Sequence, residues 1–92
     1  MGASEVVWVF HGAAGRFTSG VFSTRRKGEA WIKTHKLTGI LTAYPVDVGV
    51  YDRAVERGDF EPKNERERSS EFIGAFTSAS QEHYHYEDGA QP

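Results

Sequence analysis

The chain has 92 residues, 38% of them hydrophobic and 13% aromatic, with no cysteine, a formal net charge of −2 and a pI near 6.1. The missing thiols exclude disulfide frameworks, cysteine nucleophiles and thiolate metal sites, and the small negative charge gives no overall field to gather nucleic acid or an anionic membrane. The aromatic content supplies enough apolar area to offset ordering entropy, so the expectation is one folded domain over residues 1–92, with short flexible ends and a radius of gyration of about 12 Å.

The start, MGASEVVWVF, has no basic n-region, and its apolar run stops at His11 and Gly12. No stretch approaches the ~18 apolar residues of a membrane span. Gly2 invites a myristoylation pattern, which wants Ser or Thr at the sixth position where this chain has Val6. A cytoplasmic protein is expected.

Residues 5 to 10, EVVWVF, read as an inner strand covered on both faces, with Val6, Trp8 and Phe10 on one side and Val7, Val9 and His11 on the other. HGAAG, residues 11 to 15, predicts a hairpin loop, and RFTSGVFS a return strand with Phe17, Ser19 and Val21 on one face and Phe22 opposite. Ser23 or Thr24 caps a helix to about Lys36, with Ala30 and Trp31 turned to the sheet. Gly28 marks an irregular first turn or a close approach to another backbone.

LTGILTAY, residues 37 to 44, forms the third strand, placing Gly39, Leu41 and Ala43 on one side and Thr38, Ile40, Thr42 and Tyr44 on the other, until Pro45 ends it. Asp47 caps a second helix to about Arg57 with a stripe of Val50, Tyr51, Ala54 and Val55. Gly58 suits its left-handed terminus, with Phe60 folding back. Residues 61 to 71 carry seven charged side chains and read as a solvated surface loop. Ser69 or Ser70 caps a short third helix with Phe72, Ile73 and Phe76 along one edge.

The last element, SQEHYHYEDG, alternates strictly: Gln81, His83, His85 and Glu87 share one face, Glu82, Tyr84 and Tyr86 the other. The reading preferred is a strand with tyrosines turned to the core and histidines to water. A metal at His83 and His85 is set aside because a tetrahedral site needs three or four ligands and only Glu87 and His11 could add to them. A pH response of the two imidazoles stays open. The element order β-β-α-β-α-α-β predicts an α+β two-layer sandwich: a three- to four-stranded, mostly antiparallel sheet with two or three helices packed on one face.

A second cluster is basic. Arg25, Arg26 and Lys27 stand in the first helical turn, where unpaired amides and the dipole favour negative charge, so an anion or a partner's carboxylates could settle there. Neutralisation by Glu29, or solvation, is the plainer reading. No Walker spacing, G-x-S-x-G elbow or adjacent catalytic set occurs, and no cofactor is called for.

The string WVFHG, then F-x-S-G-V-F-S-T, LTGILTAYP, GVYD and FTSASQEHYHYEDG resembles a family of small bacterial proteins described only as a domain of unknown function. The resemblance covers residues 7 to 89 and implies a bacterial stand-alone or fused module, with no activity to carry over. The sequence thus points to a non-catalytic protein-interaction module, regulatory or immunity-like, rather than an enzyme. The alternative is a small-ligand or anion-binding domain using residues 25–27. The tentative binding residues are Arg25, Arg26, Lys27, His83 and His85. A protein partner is expected, a small anionic ligand and a homodimer through an edge strand are open, and neither nucleic acid nor membrane is.

Overall fold

Two hairpin-related strands open the computed structural model, which describes residues 5–92; residues 1–4, part of the expected flexible end, and with them the reading of Gly2, lie outside the described residues. Strand β1, Val6–Gly12, is followed by a short β2, Gly20–Phe22, helix α1, Arg25–His35, and strand β3, Gly39–Pro45. Helix α2, Val50–Glu56, a single 3-10 turn at Arg66–Arg68 and helix α3, Ser70–Gly74, precede strand β4, His83–Tyr86. The four strands form one antiparallel sheet in the order β2-β1-β3-β4. This is the α+β arrangement that the sequence predicts.

Alternation decides which side chains meet the helices. Trp8, Phe10, Leu41 and Tyr86 point to one side and enclose Ile32 of α1, with Phe22, Trp31, Leu37, Ala43 and Tyr84 around them. Phe10, Ile32 and Leu41 are essentially sealed from solvent. Phe10 meets Trp31 edge to face at 5.8 Å, and Phe22 lies 5.4 Å from the same indole.

Helix α1 starts at Thr24, whose hydroxyl accepts from the Lys27 amide at 3.2 Å, and ends where Lys36 turns left-handed at φ 54°. Its buried face differs from the expected one: Gly28 and Ile32 are buried, Trp31 is half-buried, and Ala30 is exposed. The glycine lets the helix approach the sheet, since a Cβ there would sit 3.1 Å from both Leu41 methyls and 3.3 Å from Phe22. The close approach is thus to side chains, not to another backbone.

Three further differences have local causes. The return strand shrinks to three residues, because pairing starts only at the Ser19 amide, which donates to the Phe10 carbonyl at 3.0 Å. Phe17 is therefore left in the loop, 78% exposed, under the Arg16 guanidinium. Asp47 caps nothing: it adopts a left-handed φ of 67°, and α2 begins three residues later from Gly49, without a side-chain cap. Strand β1, expected to be covered on both faces, is covered by the described residues on one, with Val7 and Val9 half-buried on the other.

Beyond the end of the sheet lies a second aromatic cluster. Tyr51 of α2 packs at 5.4 Å against Phe76, and Phe60 lies 4.9 Å from Phe76 and 5.8 Å from Phe72. Gly58, at φ 79°, turns the chain so that the Asp59 and Phe60 amides return to the Ala54 carbonyl, as the sequence predicts. Ser69 caps α3 by accepting from the Phe72 amide at 3.2 Å, while Ile73 is largely exposed. The charged segment folds on itself, and the Tyr51 hydroxyl ties it down by donating to the Glu67 carbonyl at 2.8 Å. Because this cluster sits beside the main core, the chain measures 44 × 32 × 20 Å with a radius of gyration of 14.6 Å, above the compact expectation.

Candidate functional site

Among the described residues, no element covers the sheet face opposite α1. Register builds it row by row: Val21 of β2 pairs with Val9, Val9 with Thr42, and Thr42 with His83. In the adjoining rows Ile40 stands between His11 and His85, and Val7 pairs with Tyr44. The face therefore presents a neutral apolar centre edged by three imidazoles and one phenol. Val21 is 62% exposed and Ile40 37%.

The C-terminal strand places its side chains as its alternation requires. Tyr86 is buried and Tyr84 half-buried on the α1 side, whereas His83 and His85 are exposed on the open face. The two imidazole centroids lie 5.4 Å apart. The His83 Nδ1 is 2.7 Å from the Gln81 carbonyl, which can only accept, so that nitrogen carries the proton. His11 is tied likewise through Nε2 to the Gly15 carbonyl at 2.7 Å. At one end of the face, His11, Ile40, His85, Glu87 and Pro92 line an open groove of about 630 Å³. Among the described residues, no group of three His, Asp or Glu side chains is disposed to hold a metal ion.

The basic residues sit on the other layer. Arg25 Nε donates to Glu29 Oε2 at 3.0 Å, one helical turn on, and its guanidinium lies 3.5 Å from the centre of the Tyr84 ring. A longer bond, 3.4 Å, runs to Gln91 Oε1. The Tyr86 hydroxyl donates to the same Glu29 oxygen, and the Tyr84 hydroxyl to Glu82 at 2.5 Å. Arg25 thus clamps α1 to the underside of β4, while Arg26 and Lys27 remain exposed. The five residues singled out in the sequence fall into two groups separated by the sheet, and Arg25 reaches β4 only through its tyrosines.

Burial, reinforced by donation to the Glu29 carboxylate, pushes the Tyr86 phenol up to about 12, with the Arg25 guanidinium acting the other way. Tyr84 is also raised, first by its bond to Glu82 and then by burial. A phenol raised above its unfolded value of about 10 contributes stability that is complete below pH ~10 and is lost as pH climbs through its folded value. Stability measured by urea unfolding is therefore expected to decline between about pH 10 and 12. Tyr86→Phe should flatten that decline; an unchanged slope would show that Tyr86 does not set it.

The sequence match follows the same elements. A family model described as Domain of unknown function (DUF7710) covers residues 7–92, from β1 through β4 and the closing turn. The chain belongs to this family. It agrees with the resemblance carried by the WVFHG and FTSASQEHYHYEDG segments. No curated protein and no solved structure matches the chain.

In this DUF7710 domain, one surface feature was not foreseen in the sequence. A shallow groove of about 720 Å³ runs beside α3, bordered by Phe60, Arg66, Glu71, Phe72 and Phe76. Arg66 lies 5.3 Å from the centre of the Phe72 ring. Its aromatic residues were individually visible as an apolar edge and a fold-back, but their convergence needs the tertiary path of residues 57–76.

Proposed function

We propose that this domain is a non-catalytic protein-interaction module, in a regulatory or immunity-like role, that meets its partner through the open face of its sheet. One observation supports the reading: among the described residues the helices cover a single face, and the other carries half-buried Val7 and Val9, exposed Val21 at the β2 edge and Ile40, with Thr42, Tyr44 and the histidines beside them. Antiparallel sheets normally put polar side chains on a solvated face, and contiguous exposed apolar area is costly to maintain unless something uses it. Tyr44 and the edge histidines add the amphipathic groups that interfaces favour. Cytoplasmic placement in a bacterial cell belongs to the same proposal; the cysteine-free composition is compatible with a reducing compartment.

The alternative, a small anionic ligand at the start of α1, would draw on Arg26 and Lys27, because Arg25 is already engaged by Glu29 and Tyr84. Capture experiments on host extract separate the two. Wild-type domain and Arg26→Glu/Lys27→Glu are expected to retain the same protein, and Val21→Glu to lose it. The opposite pattern would move the site to the helix layer, and no partner with any form would count against an interaction module.

A further inference from the structure

We propose that the groove beside α3 is a docking site for an arginine side chain carried on an extended segment of a partner protein, and that Arg66 occupies its place in the free domain. The groove holds about 720 Å³ and is bordered by three half-buried rings, Phe60, Phe72 and Phe76, with Asp59, Arg66 and Glu71 around them. Buried Tyr51 meets all three rings, at 5.4–6.3 Å, so the aromatic floor is backed by packed contact.

Ring geometry decides how a cation is held. Phe60 lies 4.9 Å from Phe76 and 5.8 Å from Phe72, and Phe72 lies 5.9 Å from Phe76. Rings at these separations touch one another, which leaves no cage to enclose an ammonium. A cation can lie only over an outer face, and Arg66 does so: its guanidinium stands 5.3 Å from the centre of Phe72, inside the ~6 Å within which ring and charge attract. A planar, weakly hydrated guanidinium suits such a face better than a compact, strongly hydrated ammonium.

Charge points the same way. Asp59 and Glu71 set two carboxylates against the one guanidinium of Arg66. Among the described residues Arg66 and Glu71 make no ion pair, with each other or with any other side chain, and the Glu71 carboxylate accepts no hydrogen bond. Asp59 accepts a long bond of 3.3 Å from the Ser80 hydroxyl. The groove thus keeps an unneutralised carboxylate beside apolar rings, and an incoming guanidinium satisfies both, stacking on a ring while its N–H groups donate to the acid. Arginine is also among the side chains in which protein interfaces concentrate binding energy. Arg66 is exposed and rests on the floor by its ring contact, so it can yield Phe72 to a partner's arginine. No residue of this groove belongs to a strand, and the inference does not rest on the open sheet face.

The test is an NMR titration of the full chain with a blocked pentapeptide carrying one arginine between glycines, followed through the ring signals of Phe60, Phe72 and Phe76. Saturable shifts centred on these rings are expected, with the lysine counterpart bound about threefold more weakly. Arg66→Ala, which clears the Phe72 face and removes a like charge, should tighten the arginine peptide about threefold, and Glu71→Gln should weaken it about threefold. An Arg66 that served only the fold would not give tighter binding on removal. Val21→Glu, on the sheet, should bind the peptide as wild type does, which separates this outcome from that of the partner capture. Arg66 and Glu71 are both exposed, and circular dichroism checks that each variant is folded. No saturable shift from wild type or from Arg66→Ala up to about 20 mM peptide would overturn the site. Equal affinity for the two peptides would overturn the assignment to arginine, and unchanged or weaker binding by Arg66→Ala would overturn the place given to Arg66.

Discussion

Gly39→Ala is expected to cost about 3 kcal/mol or more in urea unfolding, enough to remove a large part of the ~5–14 kcal/mol available to a domain of this size. A Cβ at Gly39 would meet the His11 carbonyl oxygen at 2.3 Å, Phe10 Cζ at 2.7 Å and the Gly12 Cα at 2.9 Å. Two of these are main-chain atoms of β1, held in register opposite Gly39 and Ile40 of β3. Relief requires separating the two central strands, where Phe10 and Leu41 form the centre of the core. Gly28→Ala supplies the contrast. Its added methyl would meet the ends of Leu41 and the Phe22 ring at 3.1–3.3 Å, and alanine returns about 1 kcal/mol of helix propensity. It should cost distinctly less than Gly39→Ala, and equal losses at the two sites would show that the main-chain clash is not what makes Gly39 necessary.

On the open face, Val21→Glu should weaken partner binding about 30-fold, and Val21→Glu/Ile40→Glu about 100-fold or more, while the stability change at Val21 stays within about 0.5 kcal/mol. The reasoning is one of desolvation. A carboxylate placed where a partner's apolar surface closes must lose its water without a compensating charge, whereas in the free domain Val21 is 62% exposed and the new carboxylate stays hydrated. Calorimetric or surface-binding affinity for the captured partner, alongside urea midpoints, reads the two effects separately. Loss of stability parallel to loss of affinity would indicate that Val21 supports the fold rather than the interface.

The C-terminal strand was legible because its chemistry and period coincide: Tyr84 and Tyr86 bring large rings to the covered side, and His83 and His85 fall two residues apart on the other. Strand β3 was legible for the same reason, with Leu41 and Ile40 on opposite faces. Helix α1 was harder. Its approach to the sheet depends on Gly28, whose contribution is the absence of a side chain, and that becomes visible only when Leu41 is seen filling the space. The apolar run of β1 suggested cover on both sides, since sequence alone does not distinguish a valine facing a core from one facing an unoccupied surface.

The basic turn shows the same division. Glu29, four residues after Arg25, was recognisable as a partner from helical spacing. The stacking of Arg25 on Tyr84 joins residues far apart in the chain and depends on β4 lying at the sheet edge above the start of α1. Aspartate often caps a helix, which is what the sequence predicts for Asp47, but it serves equally well in a left-handed turn, and that is the conformation it adopts.

The most direct measurement is side-chain NMR of the free domain with a soluble paramagnetic agent, which broadens signals according to their approach to solvent. The methyls of Val21 and Ile40 and the rings of His83 and His85 should broaden strongly, while Leu41, Ile32, Phe10 and Tyr86 stay sharp. If Val21 and Ile40 were as shielded as Leu41, or if the Tyr86 ring broadened while the imidazoles did not, the sheet would have no open working face and the account would be wrong.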